Sequence, residues 1–355
     1  MLAAIGQARQ SVELETYIFA DDKTGRRFLD ALARAARAGA RVRVLADAFG
    51  SVALPADFFA PLIGAGGEVR FFNPLRFSRF GVRDHRKLLV CDRQTVFIGG
   101  ANLTDDGDGD GVARGWLDLM AQIEDAELAA RLAKEFNRIF SNAGFAHGRF
   151  RRLRAFRRFR RRTSDPQIFA IQPGRGTSSF QRALQQELAH ASSVDLIVPY
   201  FLPVRRLRRL LRQIVRRGGR VRLILPAQCD VPLARAAGLV YYPRLLRAGV
   251  EIYEYQPQIL HAKLYRVDKK VFAGSSNLDV RSFKMNYELM LQFNDRATVD
   301  GAAEIFAAAL KNSRRIELKV FRASQTLWQR WKNHWAHFLV ARVDPLVALR
   351  HIGSR

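Results

Sequence analysis

Apolar, β-branched runs alternate along the chain with arginine-decorated amphipathic stretches. SVELETYIF at 11–19 has strand character, the segment 26–38 has helical period and ends at glycine, and AGARVRVL at 38–45 leads into a further strand. The same order then returns. SVDLIVPYF at 193–201, a helical segment over 204–217 and RGGRVRLI at 217–224 repeat it, followed by AGGEVRFFNP (65–74) against AGVEIYEYQP (248–257) and HRKLLVCD (85–92) against HAKLYRVD (261–268). The offsets stay between 176 and 183 residues, which marks a collinear duplication.

Strands alternating with amphipathic helices predict an α/β fold: two similar halves related by a pseudo-twofold, each a mixed central sheet flanked by helices. The second half opens with QIFAIQP at 167–173, a strand, before a helix over about 177–191. Residue 1 already lies in the helix matching that one, so the first half is expected to lack the counterpart strand. The expected division is 1–148, a basic linker 149–166, a second half 167–318 and a Trp-rich tail 319–355.

Hydrophobic residues make up 48% of 355, enough for a core in each half. No run reaches 18 apolar residues, and Arg9, Glu13 and Glu15 interrupt the N-terminal stretch, which therefore reads as neither a signal peptide nor a spanning helix. Cys91 and Cys229 offer no disulfide framework, and no Cys/His cluster has zinc spacing, which favours a reducing compartment. The net charge of +26 demands anionic partners, and only ten of the 59 cationic residues are lysine. Arginine forks suit phosphates, which nucleic acid and anionic lipid both present.

Three segments invite special readings. Nine of the fourteen residues 149–162 are arginine, with Phe150, Leu153, Phe156 and Phe159 at every third position. A solvated linker, a basic amphipathic element on anionic headgroups and a nucleic-acid arm all fit that pattern. Trp328, Trp331, Trp335 and Phe338 share one helical face, suited either to a headgroup interface or to packing on the core. Asp106, Asp108 and Asp110 start like a calcium loop, but Leu117 stands at the twelfth position and a strand precedes, so an acidic turn is expected.

The chemistry concentrates in a doubled motif. His85-x-Lys87-x4-Asp92 is followed after six residues by Gly99-Gly100-Ala101-Asn102, and His261-x-Lys263-x4-Asp268 after five by Gly274-Ser275-Ser276-Asn277. In a strand, positions i and i+2 share a face, so each histidine would point with its lysine into one pocket, and the following turn and strand would bring up Asn102 and Asn277. Two similar halves can join both sets in one site. A lone H-x-K means little; the whole pattern at equivalent points of a duplication means much.

These residues, with ETYIF, FIGGAN, PYFLP (199–203), CDVP (229–232) and GSSNLDVRS, resemble the phospholipase D superfamily over nearly the whole chain, and within it the bacterial cardiolipin synthases without N-terminal membrane spans. Gly100 stands where that superfamily usually has serine. The resemblance implies catalysis by His85, Lys87, Asp92, His261, Lys263 and Asp268. It implies phosphate binding by Asn102, Asn277 and Ser275, and histidine orientation by Asp118 and Glu288. One histidine would form a phosphohistidine while the other serves as acid and then base, without metal or cofactor. Family habit makes His85 the nucleophile, with the reverse assignment open. The expected substrate is phosphatidylglycerol at the cytoplasmic face of the cell membrane, reached peripherally, with cardiolipin as product. Hydrolytic phospholipase D and nucleic-acid phosphodiesterase are the alternatives, and nucleic acid is the less favoured partner.

Overall fold

The computed structural model describes residues 1–74, 81–144, 166–174 and 176–343. The basic stripe of 149–162 lies outside these residues.

The first half runs α1 (Leu2–Gln7), β1 (Ser11–Thr16), α2 (Lys23–Arg37), β2 (Arg41–Asp47), α3 (Ala60–Gly64), β3 (Glu68–Phe72), β4 (Leu88–Cys91), β5 (Thr95–Gly99), β6 (Met120–Glu124) and α4 (Ala126–Ser141). The second runs β7 (Gln167–Ile171), α5 (Ser179–His190), β8 (Ser193–Ile197), α6 (Arg205–Arg216), β9 (Arg220–Pro226), α7 (Pro232–Leu239), α8 (Tyr242–Arg247), β10 (Glu251–Tyr255), β11 (Leu264–Val267), β12 (Lys270–Gly274), α9 (Val280–Lys284), β13 (Glu288–Phe293), α10 (Arg296–Lys311), β14 (Ser313–Arg315), α11 (Leu318–Ser324) and α12 (Leu327–Phe338). Helix α2 starts three residues before its periodicity because Asp22 accepts from Gly25 N at 2.8 Å, a side-chain N-cap.

One sheet has the order β3-β2-β1-β4-β5-β6, and the other contains the matching run β10-β9-β8-β11-β12-β13. In each, three parallel strands meet three antiparallel ones, a mixed sheet as the duplication foretold. Strand β7 pairs with β13 and extends the second sheet, and β14 does so at the other edge. Among the described residues β6 has no such neighbour. The unequal motif spacers have a local cause. Three residues, 92–94, join β4 to β5, whereas Asp268 and Lys269 alone join β11 to β12. Positive φ at Asp92, Arg93 and Asp268 closes both hairpins.

Three apolar cores stack through the molecule. One packs α1, α2 and α3 on the first sheet, and another packs α5, α6 and α8 on the second. Between them, Leu45, Val90 and Ile98 of one sheet and Ile197, Ile224 and Leu291 of the other share a core with Phe136 of α4 and Phe306 of α10. That shared core holds the halves face to face. It also brings the two His-x-Lys segments into one neighbourhood.

Candidate active site

The strands begin at Leu88 and Leu264, just after the motif lysines, so the His-x-Lys segments are extended but lie outside the sheet ladders. Their backbones are engaged across the halves instead. His85 N donates to Tyr287 O at 3.0 Å and Tyr287 N to Arg83 O at 2.9 Å, while His261 N donates to Leu117 O and Leu117 N to Ile259 O, at 2.8 and 2.9 Å. Parallel bridges Asp84 to Tyr287 and Leu117 to Leu260 record the same contacts. Each histidine segment therefore lies beside the residue preceding the other half's acidic position.

The orienting acids cross over as a result. His85 Nδ1 is 3.0 Å from Glu288 Oε2, and His261 Nδ1 is 2.5 Å from Asp118 Oδ2. With Nδ1–H donated to a carboxylate, each ring keeps Nε2 free for chemistry. Lys263 Nζ also lies 2.9 Å from His261 Nδ1 and 3.1 Å from Nε2, but Nδ1 cannot both donate to Asp118 and accept from an ammonium. The ammonium is better read as resting against the ring, with its donated bond going to His261 O at 2.5 Å. Lys87 Nζ makes the corresponding bond to His85 O at 2.9 Å.

The two carboxylates are held differently. Ser275 Oγ donates to Glu288 Oε2 at 2.5 Å and accepts from Leu289 N at 3.0 Å, and Asn286 Nδ2 donates to Oε1 at 3.3 Å. Ser275, expected on a phosphate, thus serves Glu288. At its counterpart Gly100 a β-carbon would lie 2.2 Å from Asp118 Oδ1, so a side chain there would press on that carboxylate. Asp118 takes Leu119 N at 2.8 Å as its further donor.

The ionisation of the cluster follows this asymmetry. Burial, then Lys87, Lys263 and His261, drive the His85 pKa well below its ordinary value. His261 is also lowered, by burial and Lys263, but Asp118 pulls the other way through its charge and hydrogen bond. Burial works against ionised Asp118, yet Lys263, His261 and the hydrogen bonds outweigh it and its pKa falls. Burial pushes Glu288 up to about 7 despite Lys87 and the bond from Ser275. It brings Lys87 down to about 7, helped by Lys263, and lowers Lys263 itself. Two buried lysines that repel one another form a place where an anion is welcome.

Asp92 and Asp268, expected in the catalytic set, stand elsewhere. They sit past the far ends of β4 and β11, where Asp92 Oδ1 accepts from Gln10 N and Ser11 N at 2.7 and 2.9 Å and Oδ2 from Arg9 N at 2.9 Å. Asp268 Oδ1 likewise accepts from Ser192 N and Ser193 N at 3.1 and 2.8 Å. Their motif position reflects hairpin closure and the anchoring of β1 and β8. Asn102 Oδ1 accepts from Ile18 N at 3.3 Å, and buried Asn277 Oδ1 has no partner among the described residues.

Two aromatic neighbours were absent from the expected set. Tyr17 meets the His85 ring edge-on at 5.0 Å, and Trp116 lies 5.2 Å from that of His261. Both belong to motif-bearing segments, ETYIF and GWLDLM, so proximity to the motifs was their one clue. Asp110 Oδ1 accepts from the amides of Val112, Ala113 and Arg114, an acidic turn as expected. Among the described residues no three His, Cys, Asp or Glu side chains cluster to hold a metal ion.

Paired α/β halves with two His-x-Lys sets at their junction define a phospholipase D-like protein. A family model described as "Cardiolipin synthase, PLD-like domain" matches residues 1–140 and 184–310, and the chain belongs to that family. Cardiolipin synthase A of Pseudomonas putida (strain W619) is 33% identical over 329 residues, 89% of this chain and 67% of that protein. Cardiolipin synthase 1 of Bacillus anthracis is 30% identical over 337 residues, 90% of this chain and 66% of that one. The chain thus spans about two thirds of the length of these relatives. In fold it is similar to the phosphatidylserine synthase of Haemophilus influenzae Rd KW20, with a TM-score of 0.75 at 15% identity, covering 98% of this chain and 92% of the other.

Proposed function

We propose that the chain transfers a phosphatidyl group between two phosphatidylglycerol molecules, giving cardiolipin and glycerol, at the cytoplasmic surface of the membrane. One observation carries the chemistry: two buried imidazoles, each oriented through Nδ1 by a carboxylate of the other half, stand in one cluster with two lysines. The names borne by the relatives support the choice of lipid.

In this reading His85, kept neutral by burial and by the neighbouring cations, attacks phosphorus through Nε2. The bond from phosphorus to the glycerol headgroup oxygen breaks, and His261, whose imidazolium is stabilised by ionised Asp118, gives that oxygen its proton. The products are free glycerol and phosphatidyl-His85. His261 then takes the proton of a second phosphatidylglycerol's hydroxyl, whose oxygen attacks phosphorus and breaks the P–N bond, releasing cardiolipin. Lys87, Lys263 and the amides of Asn102 and Asn277 would hold the non-bridging oxygens where charge gathers.

Among the described residues no helix is long and apolar enough to cross a membrane. Incubation with phosphatidylglycerol vesicles and, separately, with DNA is the test. Cardiolipin with stoichiometric glycerol is the expected outcome; phosphatidic acid alone, or cleaved DNA with untouched lipid, overturns it.

A further inference from the structure

Helix α12 packs on α7 through one side only. Ala336 is buried, and His337 Nε2 lies 2.7 Å from the Tyr241 hydroxyl beyond the end of α7. The other side carries Trp328, Trp331, Trp335 and Phe338, which are 58%, 51%, 48% and 50% exposed. Leu327 and Leu339 are exposed at its two ends, and Val320 stands out from α11. The stripe is thus exposed, as the headgroup-interface reading requires.

The rings form a chain of contacts along the helix. Trp328 stacks on Trp331 at 4.7 Å, Trp331 meets Trp335 at 5.7 Å and Trp335 meets Phe338 at 5.9 Å. A continuous exposed apolar ridge of this kind calls for an occupant.

Charge selects the occupant. Lys319 and Arg322 of α11 and Arg330 and Lys332 of α12 are exposed, with Lys332 over the Trp328 ring, and no carboxylate occurs between Leu318 and Val343. A second copy meeting the ridge face to face would bring cations against cations. An anionic bilayer accepts both features, with indoles among the headgroups and cations against lipid phosphates.

The side of α12 away from the ridge borders a cavity. Gln325, Gln329 and Asn333 of the α12 region, Gln228 and Cys229 just before α7 and Arg235 within it line this cavity of about 430 Å³. Next to it, Asp230 accepts from the Tyr200 hydroxyl at 2.5 Å and acts electrostatically on Lys263. Val231 and Leu233, which flank the cavity residue Pro232, are 42% and 46% exposed.

We infer that the aromatic face of α12 is the surface that docks on anionic phospholipid bilayers. This deepens the lipid reading above and rests on it. Its readout is vesicle binding, so it stands or falls separately from turnover. The full chain is mixed with vesicles of phosphatidylglycerol and phosphatidylcholine carrying brominated acyl chains. Trp328, Trp331 and Trp335 supply three of the four tryptophans, so more than half the indole emission should be quenched. Unquenched emission from bound protein overturns the inference, and this measurement needs no variant. In co-sedimentation, the triple substitution Trp328→Ala, Trp331→Ala and Trp335→Ala should weaken binding at least tenfold with an unaltered melting temperature. Binding equal to the wild type, or a change confined to self-association by light scattering, counts against it. Phosphatidylglycerol turnover in detergent micelles is assayed in parallel, and its absence beside normal quenching would indict the transferase reading alone.

Discussion

Gly100 and Asp118 are matched in size: a β-carbon on Gly100 would lie 2.2 Å from Asp118 Oδ1. At the equivalent place in the other half a serine fits, and it donates its hydroxyl to Glu288. Replacing glycine by the serine usual to the superfamily should displace Asp118 from His261. Gly100→Ser is expected to lower kcat on the order of a hundredfold, the low end of what general acid–base catalysis supplies, because His261 stays but loses its orienting carboxylate, with little change in KM. Steady-state kinetics checks this.

The reciprocal change acts on ionisation. Ser275's hydrogen bond lowers the Glu288 pKa, which burial holds at about 7. Ser275→Ala removes that bond, so Glu288 should take up its proton at higher pH and the acidic limb of the kcat profile should move upward. A pH–rate series on wild type and variant tests the direction.

Lys87 is costly to keep charged. Its pKa falls from 10.5 to about 7 in the fold, so below pH 7 both folded and unfolded chains carry the proton and the full destabilisation is present. Between pH 7 and 10.5 the unfolded chain binds more protons and the cost fades. Lys87→Met is therefore expected to abolish turnover while raising the melting temperature by several degrees at pH 6, a gain that shrinks toward pH 10. Thermal unfolding across that range decides it.

Two lysines with depressed pKa values should regain protons when an anion enters. Sulfate, which does not titrate near neutrality, is expected to bind with proton uptake at pH 7.5. Calorimetry in buffers of different ionisation enthalpy measures it, and Lys87→Met should reduce the uptake.

Asp92 and Asp268 give a separate test of placement. Asp92→Asn weakens bonds to three backbone amides and should cost about 1–2 kcal/mol of stability, while the pH–rate profile of folded enzyme stays unmoved. Chemical denaturation and kinetics on the same sample separate the two effects.

Much of the fold was legible because duplication writes each element twice. The strands, the helices over 26–38 and 204–217 and the extra strand at 167–173 followed from periodicity, which depends on neighbours in sequence. The crossed pairing of His85 with Glu288 and of His261 with Asp118 did not. It arises from backbone bridges between segments separated by roughly 140 to 200 positions, and no local pattern encodes that. The motif aspartates misled for a related reason. Their spacing is a property of hairpin closure, and a fixed distance from the histidine in sequence placed them beside it only on paper.

The central claim is that one site, built from both halves, forms its covalent intermediate on His85. Phosphatidylglycerol labelled in the donor phosphate, mixed with wild type and with the single variants His85→Ala and His261→Ala, quenched at neutral pH and digested, allows the adduct to be located by mass spectrometry. A phosphatidyl adduct on the His85 peptide in wild type, absent from His85→Ala, is the expected result. An adduct on His261 in the His85→Ala protein would contradict the account.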